Sequence, residues 1–357
     1  MSAFVIAARR SAVMPAGGAF ARLYPHDLAS PVIAACLADA GLIPDQVDEL
    51  ILSNALGGGG NPARLAALAA GLPDRVAGLS IDRQCAGGLD AIALAAALVQ
   101  AGMAEVVIAG GAESASRRPL RFHTDPDGGP AVAYDAPAFT PWPDRDPGMA
   151  EAAAALAMEL GISRLEQDAY AVASHAHARS SAQPEIASVS NCTADGFTRL
   201  LTLETAARAR ALRGTITAAN TAIAADAAAF SVVVSDRVAR AAPRALRIAA
   251  AATRGADPTS PGLAPLRAIA EVWGGRFPLA HAEIMEAYAV QAIACIRGAG
   301  LDPDRVNPAG GALARGHPIG ASGAVLIARL FHDLHGGYGL AAIAAAGGIG
   351  TALLLEA

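Results

Sequence analysis

Apolar residues along this chain come as short unbroken blocks, seldom alternating with polar ones. The blocks at residues 106–109 and 340–345, in "MAEVVIAGGAES" and "GLAAIAAAGGIGTALLLEA", read as strands covered on both faces. The stretches "SPVIAACLADAGL", "NPARLAALAAG", "GGLDAIALAAALVQAG" and "YAVQAIACIRGAG" instead repeat apolar positions at helical spacing. Two long segments share one order of loop, glycine-punctuated turn, helix and apolar strand. One starts at "GLSIDRQCAGGLDAIALAAALVQAG", the other at "DRVNPAGGALARGHPIGASGAVLIARLFHDL". Such a repeat predicts an α/β protein with two similar βαβ-rich halves.

Between the halves, from about Arg117 to Arg213, the pattern changes. Pro, Asp, Ser and His become frequent, "PDGGP" and "PWPDRDPG" read as turns, and "GISRLEQDAYAVASHAHARSS" is the one amphipathic helix expected. Ser163 followed by Glu166 predicts a capping box at its start. The division expected is an N-terminal half over 1–116, completed by about 214–243 through the strand-like "AAFSVVVSD", an inserted domain over 117–213, and a C-terminal half over 244–357.

Composition narrows the chemistry. No apolar run reaches the roughly 18 residues that span a bilayer, and the N-terminus lacks the pattern of a secretory or transit signal, so the expected address is cytoplasmic, with no membrane partner. A net charge of −5 without a basic run gives no footprint for nucleic acid. All 27 basic residues are arginine, which excludes internal Schiff bases and P-loop phosphate transfer. The four cysteines, Cys36, Cys85, Cys192 and Cys295, form no CxxC pair, so neither a zinc site nor a disulfide framework is expected.

Cys85 stands at the N-terminus of a helix, where unpaired N–H groups and the macrodipole favour a thiolate. Position alone leaves it open between a nucleophile and a structural thiol. Cys36 and Cys295 fall inside apolar helical patterns, and Cys192 lies in a polar loop. His317, in "GGALARGHPIGASGA", is surrounded by glycines and followed by Pro318, as befits a side chain aimed by a tight loop. A cysteine and a histidine on equivalent turns of two repeated halves would meet where the halves pack, giving a thiol beside an imidazole base. Gly57 to Gly60 could cradle a phosphate or simply join a strand to a helix.

Taken together, "RQCAGGLDAI", "GGAESAS", "GISRLEQDAYA", "GTITAAN", "NPAGGALARGHPIGASGA" and "AGGIGTALLLEA" resemble, in order, the motifs of the thiolase family. The resemblance implies a thiolase fold, a layered αβαβα body of two mixed sheets around buried helices, with an inserted loop domain that holds coenzyme A, and a homodimer or homotetramer. It implies acyl-CoA chemistry of lipid metabolism, with coenzyme A as substrate and no permanently bound cofactor or metal. Cys85 becomes the residue acylated and His317 the base that activates it, with backbone N–H groups of Cys85 and Ala346 as oxyanion donors. Arg210 falls at a CoA-contact position, and Ala222 replaces a serine that touches the CoA chain. Arg208 and Arg213 could also meet phosphates or merely form a solvated face.

The departures are specific. Ala344 stands where the family has a second cysteine, Ala346 at the first glycine of the terminal glycine motif, and Gly87 in place of a serine. The Asn-Glu-Ala-Phe motif reads "MEAYA", with Met285 at the asparagine, and parts of the loop domain after Gln183 and before Gly214 are missing. Glu286 is retained and expected to orient neighbours. Acylation of Cys85 needs none of the lost groups, whereas carbon–carbon bond formation needs a base and an ordered water. His281, Glu283 and His123 are the candidates for a substitute base, each with a purely structural alternative. The expectation is an acyl-CoA acyltransferase with a non-standard second half-reaction. The alternatives are an acyltransferase or thioesterase with a non-CoA acceptor, and a degenerate acyl-CoA-binding or scaffold protein.

Overall fold

The structure, a computed structural model, describes residues 2–357. Strands β1 (Ala3–Arg10), β2 (Glu49–Ser53), β3 (Leu79–Ile81), β4 (Val106–Ser114) and β5 (Ala225–Ser235) pair in the order β3-β2-β4-β5-β1. The pairs at the β3 end are parallel and those at the β1 end antiparallel. Strands β6 (Leu246–Gly255), β7 (His281–Ile284), β8 (Tyr338–Ala345) and β9 (Ile349–Glu356) repeat the scheme as β7-β8-β9-β6, and a parallel bridge from Ala282 to Val306 supplies the counterpart of β3. Each half therefore has the same strand order and the same mixture of directions.

The two sheets are not separate. They join into one path where Phe4 pairs with Arg247 and Val5 with Leu246, near the starts of β1 and β6. Beyond those two pairs the strands diverge, as sheets that each twist must.

Helices fill three layers. Helices α1 (Pro25–Ala40) and α2 (Pro62–Ala69) cover the outer face of the first sheet. In the second half, α6 (Pro265–Val272) and α7 (Ala289–Ala299) do the same, and α3 (Gly87–Gln100) and α8 (Ser322–Asp333) lie between the sheets. This layering explains the solid apolar blocks. Along β5, Val232 and Val234 face the α1 layer while Ala229 and Val233 face the central helices, so both faces are dry. Helix α8 is buried from Ser322 to Phe331, as a central helix must be. Its Arg329 is matched by Glu185 at 2.8 Å and by Asp333.

The inserted segment holds more helix than its sequence suggested: α4 (Met149–Glu159), α5 (Arg164–Ser180) and a short turn at Leu203–Ala207. Helix α4 was missed because its alanines carry little amphipathic contrast, although Ala152, Ala153, Leu156 and Ala157 are buried. The capping box of α5 is half formed. Ser163 Oγ accepts from Glu166 N at 3.2 Å, but the Glu166 carboxylate turns outward to Arg297. The return of this segment is pinned by a buried network. Glu185 and Asp195 both accept from Arg10, at 2.8 and 2.6 Å, and Asp195 also meets Arg315 at 3.4 Å. Among the described residues no helix is long and apolar enough to cross a membrane.

Candidate active site

Cys85 sits in a single 3-10 turn, Gln84–Ala86, between β3 and α3. Gln84 holds φ at +50°, a conformation non-glycine residues rarely adopt, and its N–H donates to Asp82 Oδ1 at 2.8 Å. The turn thus projects the sulfur forward of the helix. His317 is aimed from the other half. Its N–H donates to Ile223 O at 2.7 Å, and Gly316 before it takes φ of +114°.

The α3 and α8 N-termini bring the two turns together by backbone approach. A Cβ on Gly323 would lie 2.4 Å from Leu89 N, and one on Gly88 would lie 2.8 Å from Gly320 O. Only glycine permits this crossing. The result is His317 Nε2 at 3.1 Å from Cys85 Sγ, with His317 Nδ1 at 2.7 Å from Ser322 Oγ. In the tautomer whose Nδ1–H donates to Ser322 Oγ, Nε2 faces the thiol as an acceptor.

Burial makes the resting pair neutral. It pushes the Cys85 thiol up to about 12, against the backbone N–H groups of Cys85 and Ala346, which favour the thiolate. It also pushes His317 down to about 4. Glu113 braces the site from behind, accepting from Ala55 N at 2.9 Å and Gly320 N at 3.0 Å. Burial raises it to about 7.

Cys85 and His317 open into a cavity of about 300 Å³. Its walls include Ala222, Ala344 and Ala346, together with Phe139, Met149 and Leu156 from the inserted segment. Other expected residues lie elsewhere. Met285 is buried in the central core among the α3 and α8 side chains, outside the cavity lining, with its N–H donating to Ala342 O at 2.9 Å. Arg210 and Arg208 are exposed and also outside the lining, and Arg213 pairs with Glu151 at 3.2 Å.

None of the substitute-base candidates reaches the sulfur's cavity. His281 is buried against Glu283 at 2.7 Å, near Asp333 at the far end of α8. His123 is exposed and stacks on Tyr134. Glu286 accepts from Ser174 Oγ, Asn307 Nδ2 and Leu313 N at 2.7, 2.7 and 3.1 Å, which ties α5 to the loop before His317. Gly57 to Gly60 connect β2 to α2 and line no part of the cavity.

Cavity residues that the sequence reading did not single out are Arg118, Arg121, Thr221, Tyr288 and Gln291. The two arginines follow the "GGAES" turn directly in "SRRPLRF", a basic cluster that could have been flagged. Nothing local marks Thr221, whereas Tyr288 stands at the phenylalanine of the Asn-Glu-Ala-Phe motif in "MEAYA".

Comparisons with known proteins agree with this architecture. The family model "Thiolase, N-terminal domain" matches residues 3–237, and "Thiolase, C-terminal domain" matches residues 242–357. The chain is 38% identical to YhfS of Bacillus subtilis (strain 168) over 384 residues, covering 100% of this chain and 99% of the relative. It is 36% identical over 387 residues to the acetyl-CoA acetyltransferase of Cupriavidus necator, covering 99% and 98%. The crystal structure of the Bacillus anthracis acetyl-CoA acetyltransferase superposes with a TM-score of 0.91 at 32% identity, over 99% of this chain and 98% of that one.

Proposed function

The chain belongs to the thiolase family, whose members are acyltransferases, and from that premise we propose that it loads an acyl group from coenzyme A onto Cys85. The observation that supports this reading is the 3.1 Å approach of His317 Nε2 to Cys85 Sγ at the floor of a cavity. As the sulfur attacks the thioester carbonyl, its proton passes to His317 Nε2. The negative charge on the carbonyl oxygen meets the N–H groups of Cys85 and Ala346. The carbon–sulfur bond to coenzyme A then breaks, and His317 returns the proton to the leaving thiolate.

Burial of both groups means that charge separation is deferred until substrate is present. The acyl chain lies among the alanines of the cavity wall. Arg118 and Arg121, at the mouth beside Ala55 and Asp135, are offered to the anionic end of coenzyme A in place of the exposed Arg210, with the inserted segment at 117–213 acting as the CoA-binding domain. The second half-reaction is non-standard in this reading, because the cavity wall presents a methyl at Ala344 and Met285 points into the core. A homodimer or homotetramer fits the uncovered edge strand β3, where Leu79 is open to solvent, as are Leu65 and Leu68 of α2.

Intact-protein mass spectrometry after mixing with acetyl-CoA or longer acyl-CoAs tests the acylation. One acyl mass per chain, abolished in Cys85→Ala, is the expected result. An unmodified protein with every acyl-CoA would leave only a binding or scaffolding role.

A further inference from the structure

A short backbone segment gathers three polar groups onto one wall of the cavity. Thr221 forms an antiparallel bridge with Tyr288, Ala222 N donates to Ala287 O at 3.0 Å, and Ala224 forms a parallel bridge with His317. Residues opposite one another across such a bridge stand side by side. Thr221, Tyr288 and His317 all line the cavity above Cys85.

Two of these groups have no use inside the protein. Thr221 Oγ1 is buried without a hydrogen-bond partner, and no described residue bonds the Tyr288 hydroxyl. The other polar groups of the lining are mostly engaged: Arg118 with Asp135 at 2.7 Å, Arg121 with Ala55 O, Gln84 with Asp82, and Gln291 with Ala287 N. A buried hydroxyl left free in a ligand cavity, with an unbonded phenol across the bridge from it, marks a place where something polar is held.

Building on the acyl-Cys85 reading, we propose that the acyl group is handed to water, so that the protein hydrolyses acyl-CoA thioesters, with Thr221 and Tyr288 holding the attacking water against His317. Three partners, two hydroxyls and one imidazole nitrogen, are what an ordered water needs. Of the groups lining the cavity next to the sulfur, His317 is the one base, and Ala344, Ala345 and Ala346 add only methyls and backbone. Burial keeps that imidazole neutral but weakly basic. In that state Nε2 is free to take a proton from water while the new carbon–oxygen bond forms.

The step balances without any further reactant. Water oxygen adds to the acyl carbon as one proton passes to His317 Nε2, and the tetrahedral oxyanion rests on the N–H groups of Cys85 and Ala346. Collapse breaks the carbon–sulfur bond and releases a carboxylic acid. His317 returns the proton to the Cys85 thiolate. Tyr288 stays protonated throughout, since burial first, and the nearby Cys85 charge second, push its phenol up to about 12. It acts only as a hydrogen-bonding group.

The test follows free coenzyme A with a thiol reagent, using butyryl-CoA and no acceptor, in water enriched in oxygen-18. Wild type should release one equivalent of coenzyme A rapidly and then continue, forming butyrate that carries the label. Tyr288→Phe and Thr221→Val, which keep the side-chain size, should slow the continuing phase by about tenfold, the effect of one lost hydrogen bond, and by more than they slow the first. Release that stops at one equivalent, or continuing release that both variants leave unchanged, overturns the proposal. Absence of even the first equivalent overturns the acyl-cysteine reading on which it rests. The labelled butyrate from wild type decides the matter should either variant fold poorly.

Discussion

Replacing Ser322 with alanine isolates the part of the site that sets the imidazole tautomer. Ser322 Oγ lies 2.7 Å from His317 Nδ1, and both residues are buried. With the hydroxyl gone, the Nδ1 hydrogen has no acceptor, and a buried donor without a partner costs about 1–3 kcal/mol. The ring can escape that cost by moving its hydrogen to Nε2, where it faces Cys85 Sγ and can no longer accept the thiol proton. At about 1.4 kcal/mol per factor of ten, the fraction of His317 competent to act as base falls by about 5- to 150-fold. The rate of Cys85 acylation, followed by rapid-quench mass spectrometry with acetyl-CoA, should fall by the same factor. Thermal stability should fall by no more than the 1–3 kcal/mol itself. Nitrogen-15 shifts of His317 report the tautomer directly and should reverse between wild type and Ser322→Ala. Unchanged acylation with an unchanged tautomer would show that the loop backbone alone orients the ring.

Three further outcomes follow from the packing. Glu185→Gln should cost about 3–5 kcal/mol in urea unfolding at neutral pH, because it leaves Arg10 and Arg329 short of charge in a buried network. Burial alone would raise the Glu185 carboxyl, but Arg10 and Arg329 hold it at about 2 against an ordinary 4.5. Its contribution is therefore present above pH 4.5, and wild type should lose it as pH falls from 4.5 through 2 while the variant shows no such loss. Gly323→Ala puts a methyl 2.4 Å from Leu89 N, which should spread the α3 and α8 N-termini, cost about 1–3 kcal/mol and slow acylation at least tenfold, a result refuted by wild-type rates in the same mass assay. Ala344→Cys should raise acetoacetyl-CoA formation above wild type, since it puts a thiol on the cavity wall, and adding Met285→Asn should bring no further gain, because that side chain lies outside the cavity lining. The double variant should also melt below wild type, because the asparagine enters an apolar core.

What the sequence could reveal depended on whether a feature is set by local spacing or by contacts between distant segments. The solid blocks, the repeated turn-helix-strand order and the family motifs specify the α/β layering, because dry strands and glycine turns leave their mark within a few residues. Even the Cys85–His317 encounter could be anticipated, since two copies of one turn must meet if two copies of one sheet enclose the same pair of helices. The joining of the sheets could not be read, because it rests on two residue pairs that no local pattern records. Helix α4 was hidden for the opposite reason, as a run of alanines has no contrast between faces.

Where side chains end up relative to the cavity was also beyond local reading. Met285 matches the position of a motif asparagine in sequence, yet its side chain belongs to the core, and His281 sits near the motif but pairs with Glu283 at the far end of α8. Thr221 carries no signal singly, and Tyr288 shows only as a motif phenylalanine that has gained a hydroxyl. They acquire meaning only when a backbone bridge sets them beside each other and β5's preceding loop sets both beside His317. A thiol and an imidazole can thus be read from their turns, whereas the proposed acceptor, water, rests on hydroxyls that only the fold brings together, which is why the post-acylation rate, and not acylation itself, is the measurement on which that proposal turns.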